Sequence, residues 1–196
     1  MMLAVVAMAF VVGCNDDEKT VESQRTTIER YLTSSHQPRL IPESEIENSL
    51  ELNPPFYEKL SQNVYRYIAT YYNADRDLQV EVEMGDLVEL TATGYIFTGS
   101  SPSIHTVYYT NEAEVIASLV KEGLNDQYWS AEPMVVRLGE TDIIKGVELS
   151  LLECREGDRV EVYMTHEAAY GKDPVGLLPK ESAVLWIYSI DKVTKR

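Results

Sequence analysis

The sequence has few of the residues that build disulfide frameworks and metal centres. It contains two cysteines, Cys14 and Cys154, and its three histidines are scattered, without a cysteine–histidine pair at zinc-ligand spacing. It also lacks a glycine-rich phosphate loop, a nucleophile elbow and an HExxH motif. These absences exclude a disulfide scaffold and give no support to a metalloenzyme or a nucleotide-binding enzyme, so we expect no cofactor and no metal.

Basic residues are also scarce. The 17 lysines and arginines stand against 32 aspartates and glutamates, which gives a formal net charge of -15. A protein binds phosphate backbones through clustered lysine and arginine, so we exclude nucleic acid as a partner. The same charge argues against electrostatic attachment to anionic lipids, and membrane attachment therefore has to be hydrophobic.

The first twelve residues supply a hydrophobic segment without charge. It is too short to span a bilayer core of about 30 Å, but it suits the apolar part of a signal peptide. It ends in Val11-Val12-Gly13-Cys14, which resembles the lipobox of bacterial lipoproteins, where the cysteine is acylated and becomes the mature N-terminus. We therefore predict a lipoprotein signal peptide over residues 1–13 and lipidation of Cys14. A buried N-terminal strand with an incidental cysteine is the alternative.

The predicted anchor leads to a predicted location. Several acyl chains on one cysteine make membrane attachment effectively stable, so we expect a lipid-anchored protein of the cell envelope, at the outer membrane. The acidic residues 15–19 resemble the export signal of some surface lipoproteins, but a solvated start of a tether has the same composition. Periplasmic and surface-exposed display both stay open.

Residues 14–60 differ in pattern from the rest of the chain. Within residues 20–32, Val21, Ile28 and Leu32 fall near one helical stripe, and residues 34–55 are polar with four prolines. We predict a lipidated tether with a short helix. That helix either docks on the domain or stays solvated.

Residues 61–196 have the pattern of one α+β domain. Hydrophobic residues make up 44% of the chain, which is enough for one core. Alternation predicts strands over residues 64–72, 80–84, 87–97, 133–138, 158–164 and 183–193. A helix is predicted from Asn111, with Glu114 completing a capping box, and a second over residues 143–152. Cys154 follows an apolar run and is predicted to be buried.

The order of short motifs in residues 136–193 is more specific than the pattern. Five motifs follow one another here: Leu138-Gly139, Ile143-Ile144-Lys145-Gly146, Gly157-Asp158, Ala169-Tyr170-Gly171 and Leu177-Leu178-Pro179. Their order and spacing resemble the C-terminal half of the FKBP-type prolyl isomerases, and the N-terminal half matches more loosely. The resemblance implies an antiparallel half-barrel sheet wrapped on a short central helix. Residues 112–132 are then an insertion, expected near the rim of the pocket.

The resemblance also implies a site. Tyr170 matches the tyrosine whose hydroxyl donates to a substrate carbonyl, and Ile144 matches the residue whose backbone N–H binds the peptide. The remaining residues implied to contact substrate are Tyr108, Tyr109, Met134, Ile143, Val147, Leu177, Leu178 and Trp186. Proline-containing peptides or exported proteins are the implied partners.

Three positions depart from the family pattern. Val147 stands where the family has a tryptophan as pocket floor, Ala92 where it has a tyrosine, and Tyr109 where it has an aspartate. Two functions follow as alternatives: a peptidyl-prolyl cis–trans isomerase that assists folding in the envelope, and an FKBP-like binding module without useful turnover. A third is an adhesin or subunit of a surface complex that uses the insertion helix as its contact.

Overall fold

Residues 13–196, which are those that the computed structural model describes, form three α-helices and eight β-strands; side chains are described from residue 18 onward, except that of residue 128. Most of the predicted signal peptide and the side chain of Cys14 therefore lie outside the described residues. No helix in this part of the chain has the length and apolar character that a membrane crossing requires.

The helices are α1 (Gly13–Ser34), α2 (Ala113–Lys121) and α3 (Lys145–Leu151). The strands are β1 (Ile41–Pro42), β2 (Phe56–Ser61), β3 (Val64–Ile68), β4 (Leu87–Ile96), β5 (Val107–Thr110), β6 (Met134–Arg137), β7 (Arg159–Met164) and β8 (Val184–Thr194). The predicted α+β class is confirmed. The predicted strand over residues 80–84 is wrong: it makes one bridge, Glu81 with Arg155, because the facing segment is a turn in which Glu153 has a φ of 65°.

The strands form one sheet in the order β1-β2-β3-β7-β8-β4-β5, in which all pairs except β1 with β2 are antiparallel. β8 is long enough to pair with both β7 and β4. The other edge of β4 is shared, since β6 pairs with its first half and β5 with its second half. This sharing brings the ends of β5 and β6 together at the same side of the sheet.

The inner face of the sheet packs on α3. Val147 and Leu151 of α3 are fully buried against apolar side chains of β3, β4, β7 and β8. Cys154, just after α3, is fully buried there as predicted, and burial raises the pKa of its thiol to about 12. Packing of this helix closes one core of the domain.

The outer face of the same sheet packs on α1. Ile28, Tyr31 and Leu32 of α1 are buried against Tyr65, Tyr163 and other outward side chains of β3, β7 and β8. The helix docks, and it extends well beyond the predicted residues 20–32 at its N-terminal end. Because both faces of the sheet are covered, the sequences of β3 and β8 are mostly apolar and do not alternate strictly between apolar and polar residues.

The β1 edge of the sheet is short and rich in proline. β1 has two residues and pairs with the start of β2, and the Ile41 N–H donates to the carbonyl of Pro55 (3.1 Å). Pro42 is itself paired, opposite Tyr57, and Pro54 lies just before β2; neither proline carries a backbone N–H. The 3-10 helix Glu43–Asn48 then leads the chain away from the sheet.

Candidate active site

A cavity of about 340 Å³ opens beside α3, where β5, β6 and β8 meet the segments that precede α3 and follow β7. We call it the Tyr170 cavity. Its lining residues are Tyr109, Met134, Val136, Thr141, Asp142, Ile143, Ile144, Tyr170 and Trp186. The volume falls within the range of about 300–1,000 Å³ that small-ligand sites occupy. Six of the ten residues that the family resemblance implies for catalysis or substrate contact line it.

The other four implied residues lie elsewhere. Val147 and Leu178 are buried in the inner core below the cavity, and neither lines it. Leu177 points to solvent with 72% of its surface exposed. Tyr108 contacts Tyr170 and Trp186 but does not line the cavity. A valine side chain on α3 is short, so position 147 supplies core packing and no floor.

Two stacked aromatic rings form one wall of the Tyr170 cavity. The rings of Tyr109 and Trp186 lie 5.2 Å apart between centroids and are nearly parallel, at 13°. Both residues pair across strands with Gly94 of β4. A Cβ atom at Gly94 would lie 2.9 Å from the Tyr108 ring and 3.1 Å from Trp186 Nε1, so the glycine leaves the space in which these aromatics meet.

A chain of hydrogen bonds runs behind this wall to Tyr170. The Trp186 Nε1–H donates to the Tyr108 hydroxyl, and the Tyr108 and Tyr170 hydroxyls are hydrogen-bonded to each other. An indole N–H only donates, so the Tyr108 oxygen is its acceptor. In the arrangement that satisfies all three groups, the Tyr108 proton points to the Tyr170 oxygen, which leaves the Tyr170 proton available for another acceptor.

The two hydrogen-bonded phenols, Tyr108 and Tyr170, stay protonated at neutral pH. Burial raises the pKa of Tyr108 and of Tyr170 above the ordinary phenol value, and the hydrogen bond from Tyr108 offsets only part of the rise at Tyr170. The Tyr108 and Tyr170 rings also meet edge to face, with centroids 5.8 Å apart. Tyr170 is therefore a neutral hydrogen-bond donor held by an aromatic neighbour.

The start of α3 places a second donor at the cavity. Ile144 has an extended ψ of 134°, and the helix begins one residue later, not at residue 143 as predicted. Its carbonyl accepts from the N–H groups of Val147 and Glu148, whereas its own N–H has no acceptor among the described residues. A donor without a partner thus lines the same cavity as the Tyr170 hydroxyl.

Sequence reasoning missed three lining residues: Val136, Thr141 and Asp142. Val136 lies two residues after Met134 on the same face of β6, so strand alternation would have identified it. Thr141 and Asp142 belong to a loop, for which no periodicity exists. Asp142 is the one charged side chain in the lining.

We expected the insertion, residues 112–132, near the rim of the pocket. None of its described side chains lines the cavity; α2 lies on the outer face, where Glu114 and Val115 share a groove with Tyr95. The predicted capping box is also wrong, because Asn111 uses its side chain on β4: its Oδ1 accepts from the Ala92 N–H (2.6 Å) and its Nδ2 donates to the Leu90 carbonyl (2.9 Å).

Comparisons with known proteins agree with this geometry. Residues 79–188, more than half of the chain, match the family model described as FKBP-type peptidyl-prolyl cis-trans isomerase. A search of curated protein sequences finds no match. Among solved structures, the chain is similar to the N-terminal domain of FKBP42 from Arabidopsis thaliana, with a TM-score of 0.53 and 13% identity over 75% of this chain and 98% of that one.

The structural likeness, at this low identity, supports the fold alone, and the fold is FKBP-like as the motifs implied. The family assignment comes from the matched residues, which include Ile144, Tyr170 and Trp186 of the Tyr170 cavity. The chain therefore belongs to the FKBP-type peptidyl-prolyl cis-trans isomerase family.

Proposed function

We propose that the chain is a peptidyl-prolyl cis–trans isomerase and that the Tyr170 cavity receives the proline ring of its substrate. The observation that supports this most is the convergence of three features on one cavity: the Tyr170 hydroxyl, the free N–H of Ile144, and the stacked wall of Tyr109 and Trp186. The Tyr170 hydroxyl and the Ile144 N–H can donate to the substrate carbonyls on either side of the proline ring.

This arrangement suits the isomerisation reaction, which needs no acid, base or cofactor. Rotation about the peptide bond meets a barrier of roughly 18–20 kcal/mol because amide resonance is lost in the twisted state. The twisted amide has less charge separation than the planar one, so a site of low polarity disfavours the planar form relative to it. Fixed donors that hold the flanking backbone then favour the twisted form, which is catalysis by differential binding.

The second candidate function is a peptide-binding module without useful turnover. It is favoured by Val147, which lies in the core and provides no aromatic floor, and by Tyr109, which puts a phenol where the family pattern has a carboxylate. In that case proline peptides bind in the Tyr170 cavity, but the wall does not discriminate between the planar and twisted amide.

A protease-coupled assay of X-Pro peptide isomerisation on the full chain separates the two candidates. We expect acceleration by the wild-type protein and a loss of about tenfold in kcat/KM for Tyr170→Phe, which removes one hydrogen bond to the substrate. Peptide binding without acceleration, even at high protein concentration, would establish the binding module instead.

We further propose that the protein acts at the cell envelope, attached through lipid on Cys14. The support is the lipobox-like sequence and the apolar segment before it. Metabolic labelling with a fatty acid should mark the wild type and not Cys14→Ser, and protease treatment of intact cells distinguishes surface from periplasmic display. Absence of label from the wild type would contradict the anchor.

A further inference from the structure

Helix α1 reaches the loop that carries Tyr170 through the side chain of Gln24. Its Nε2–H donates to the Glu181 carbonyl (2.8 Å). Its Oε1 accepts from the backbone N–H of His166 (2.9 Å) and lies 3.1 Å from the ring Nδ1 of the same residue. An amide oxygen only accepts, so Nδ1 of His166 carries the proton. Gln24 thus contacts both ends of residues 166–181, the segment in which Tyr170 lies.

Two backbone hydrogen bonds turn these contacts into a closed ring. The Gly171 N–H donates to the His166 carbonyl (2.7 Å), and the Glu181 N–H donates to the Gly171 carbonyl (3.1 Å). The ring runs through Gln24, His166, Gly171 and Glu181 and returns to Gln24. Tyr170 sits inside the span from His166 to Gly171, so the ring fixes the backbone that carries its hydroxyl.

The loop needs this support because two residues in the closed set of hydrogen bonds have left-handed backbone conformations. Glu181 has a φ of 55°, in the left-handed region that residues with a side chain rarely adopt, and Gly171 has a φ of 67°. Glu181 in this conformation directs its carbonyl to Gln24 and its N–H to Gly171. Without Gln24, the described residues offer the Glu181 carbonyl no other hydrogen-bond donor.

We propose that Gln24 is a positioning residue for Tyr170, and that docking of α1 thereby sets the geometry of the Tyr170 cavity. The inference rests on the proposed isomerase function for its kinetic consequence but not for its structural one. α1 (Gly13–Ser34) lies outside residues 79–188, which match the family model. The hydrogen bonds that hold the Tyr170 loop therefore come from a part of the chain that the family model does not cover.

Hydrogen exchange of the full chain tests the structural consequence. Gln24→Leu keeps the size and helix propensity of the side chain and removes all of its hydrogen bonds. We expect amides in residues 166–181 to exchange about tenfold faster, the loss expected for hydrogen bonds of ordinary strength, while the strands β4 and β8 keep their protection. Thr26→Ala, an exposed position on the same helix, is the control and should change neither.

Isomerase kinetics on the same variants test the functional consequence. We expect kcat/KM of Gln24→Leu to fall by about tenfold under conditions in which the variant remains fully folded, and Gln24→Glu, which keeps the acceptor for His166, to lie between Gln24→Leu and the wild type. Unchanged exchange in residues 166–181, or faster exchange spread equally over the sheet, overturns the proposal. If the wild type shows no turnover but the loop still loosens in Gln24→Leu, the positioning role stands and the isomerase function fails.

Discussion

Tyr108 illustrates how a single hydroxyl connects residues that the sequence separates widely. It accepts from Trp186 and is hydrogen-bonded to Tyr170, and Gly94 leaves the space in which it meets Trp186. The family resemblance implied that Tyr108 contacts substrate. Its observed place behind Tyr170 suggests a different task, which is to orient the Tyr170 proton.

Replacement of Tyr108 by phenylalanine tests this role. The variant keeps the ring contact with Tyr170 but leaves the Trp186 N–H without its acceptor and the Tyr170 hydroxyl free to rotate. We expect kcat/KM for X-Pro isomerisation to fall about tenfold, with a smaller loss of stability. Tyr95→Phe, which changes a tyrosine on the outer face of the sheet, is the control. Equal kinetics for the two variants would count against an orienting role.

The charge of Asp142 is expected to influence substrate choice. It is the one charged side chain that lines the Tyr170 cavity, and a unit charge at about 4 Å in water contributes roughly 1 kcal/mol. We expect peptides with lysine next to proline to be preferred over those with alanine by about fivefold at low salt, and less at high salt. Asp142→Asn should remove the preference, whereas Glu122→Gln, just after α2, makes the same charge change away from the cavity and should preserve it.

Ordered motifs in the sequence pointed to individual residues that the fold brings to one cavity. Tyr170 and Ile144 fall in such motifs, and both line the cavity. Asn111 shows the opposite case. Its side chain satisfied the local pattern of a helix cap, but the strand β4 offered it an N–H and a carbonyl that no local pattern reveals. Gln24 was missed for the same reason, since its partners lie more than 140 residues away.

At the scale of elements, the short helix α3 is held at its C-terminal end by a buried arginine. Arg66 of β3 has only 2% of its side chain exposed, and its Nη1 donates to the carbonyls of Ser150 (3.0 Å) and Leu152 (2.6 Å). Its Nη2 donates to Glu58 Oε1 (2.8 Å) in a two-point contact with that carboxylate. A cation near the last turn also suits the helix dipole, so one residue ties α3 to β2 and β3.

We expect the loss of Arg66 to lower the stability of the protein strongly. Arg66→Met fits a similar space but leaves the Glu58 carboxylate and the Leu152 carbonyl without their donor, so we expect the free energy of unfolding to fall by about 3–5 kcal/mol. Chemical denaturation measures this change. The comparison is Lys59→Met, which breaks an exposed ion pair with Glu29 and should cost less than about 1 kcal/mol. Similar losses for both variants would contradict the role given to burial.

The elements themselves were predictable to the extent that their apolar patterns were local. The strands β4, β7 and β8 and the helix α3 appear close to the predicted positions. The extent of α1 and the path of α2 were not, because both depend on which face of the sheet is free to receive them. A sequence shows that a stripe is apolar, but the surface that it covers is a property of the assembled sheet.

At the scale of the whole molecule, a histidine fastens the end of α1 to the sheet. His36 is buried, and both of its ring nitrogens face acceptors: Nδ1 the Pro38 carbonyl and Nε2 the Glu161 carboxylate, at 2.9 Å. Tyr163 donates to the same carboxylate. Two acceptors require two N–H donors, so the contact is complete only when the ring is charged.

This contact makes the stability of the molecule depend on pH. Burial alone would lower the pKa of His36, but the hydrogen bonds to Glu161 and Pro38 and the charge of Glu161 outweigh it, so the pKa is raised. The unfolded pKa is about 6.5, so the stabilisation is complete below that pH and is lost as pH rises through the higher folded value. We expect the unfolding free energy of the wild type, relative to His36→Gln, to decrease over this interval. A parallel pH profile for the two proteins would exclude the contact as the cause.

The short, proline-containing edge at β1 affects how the protein behaves at high local concentration. A second chain extends a sheet by pairing with a long row of unoccupied backbone groups, and such exposed edges are where aggregation and fibril growth begin. Along β1 the described chain presents only two residues, one of them a proline without a donor, and at the opposite side β5 and β6 are short. Molecules at high local concentration therefore have little template for polymerising strand to strand.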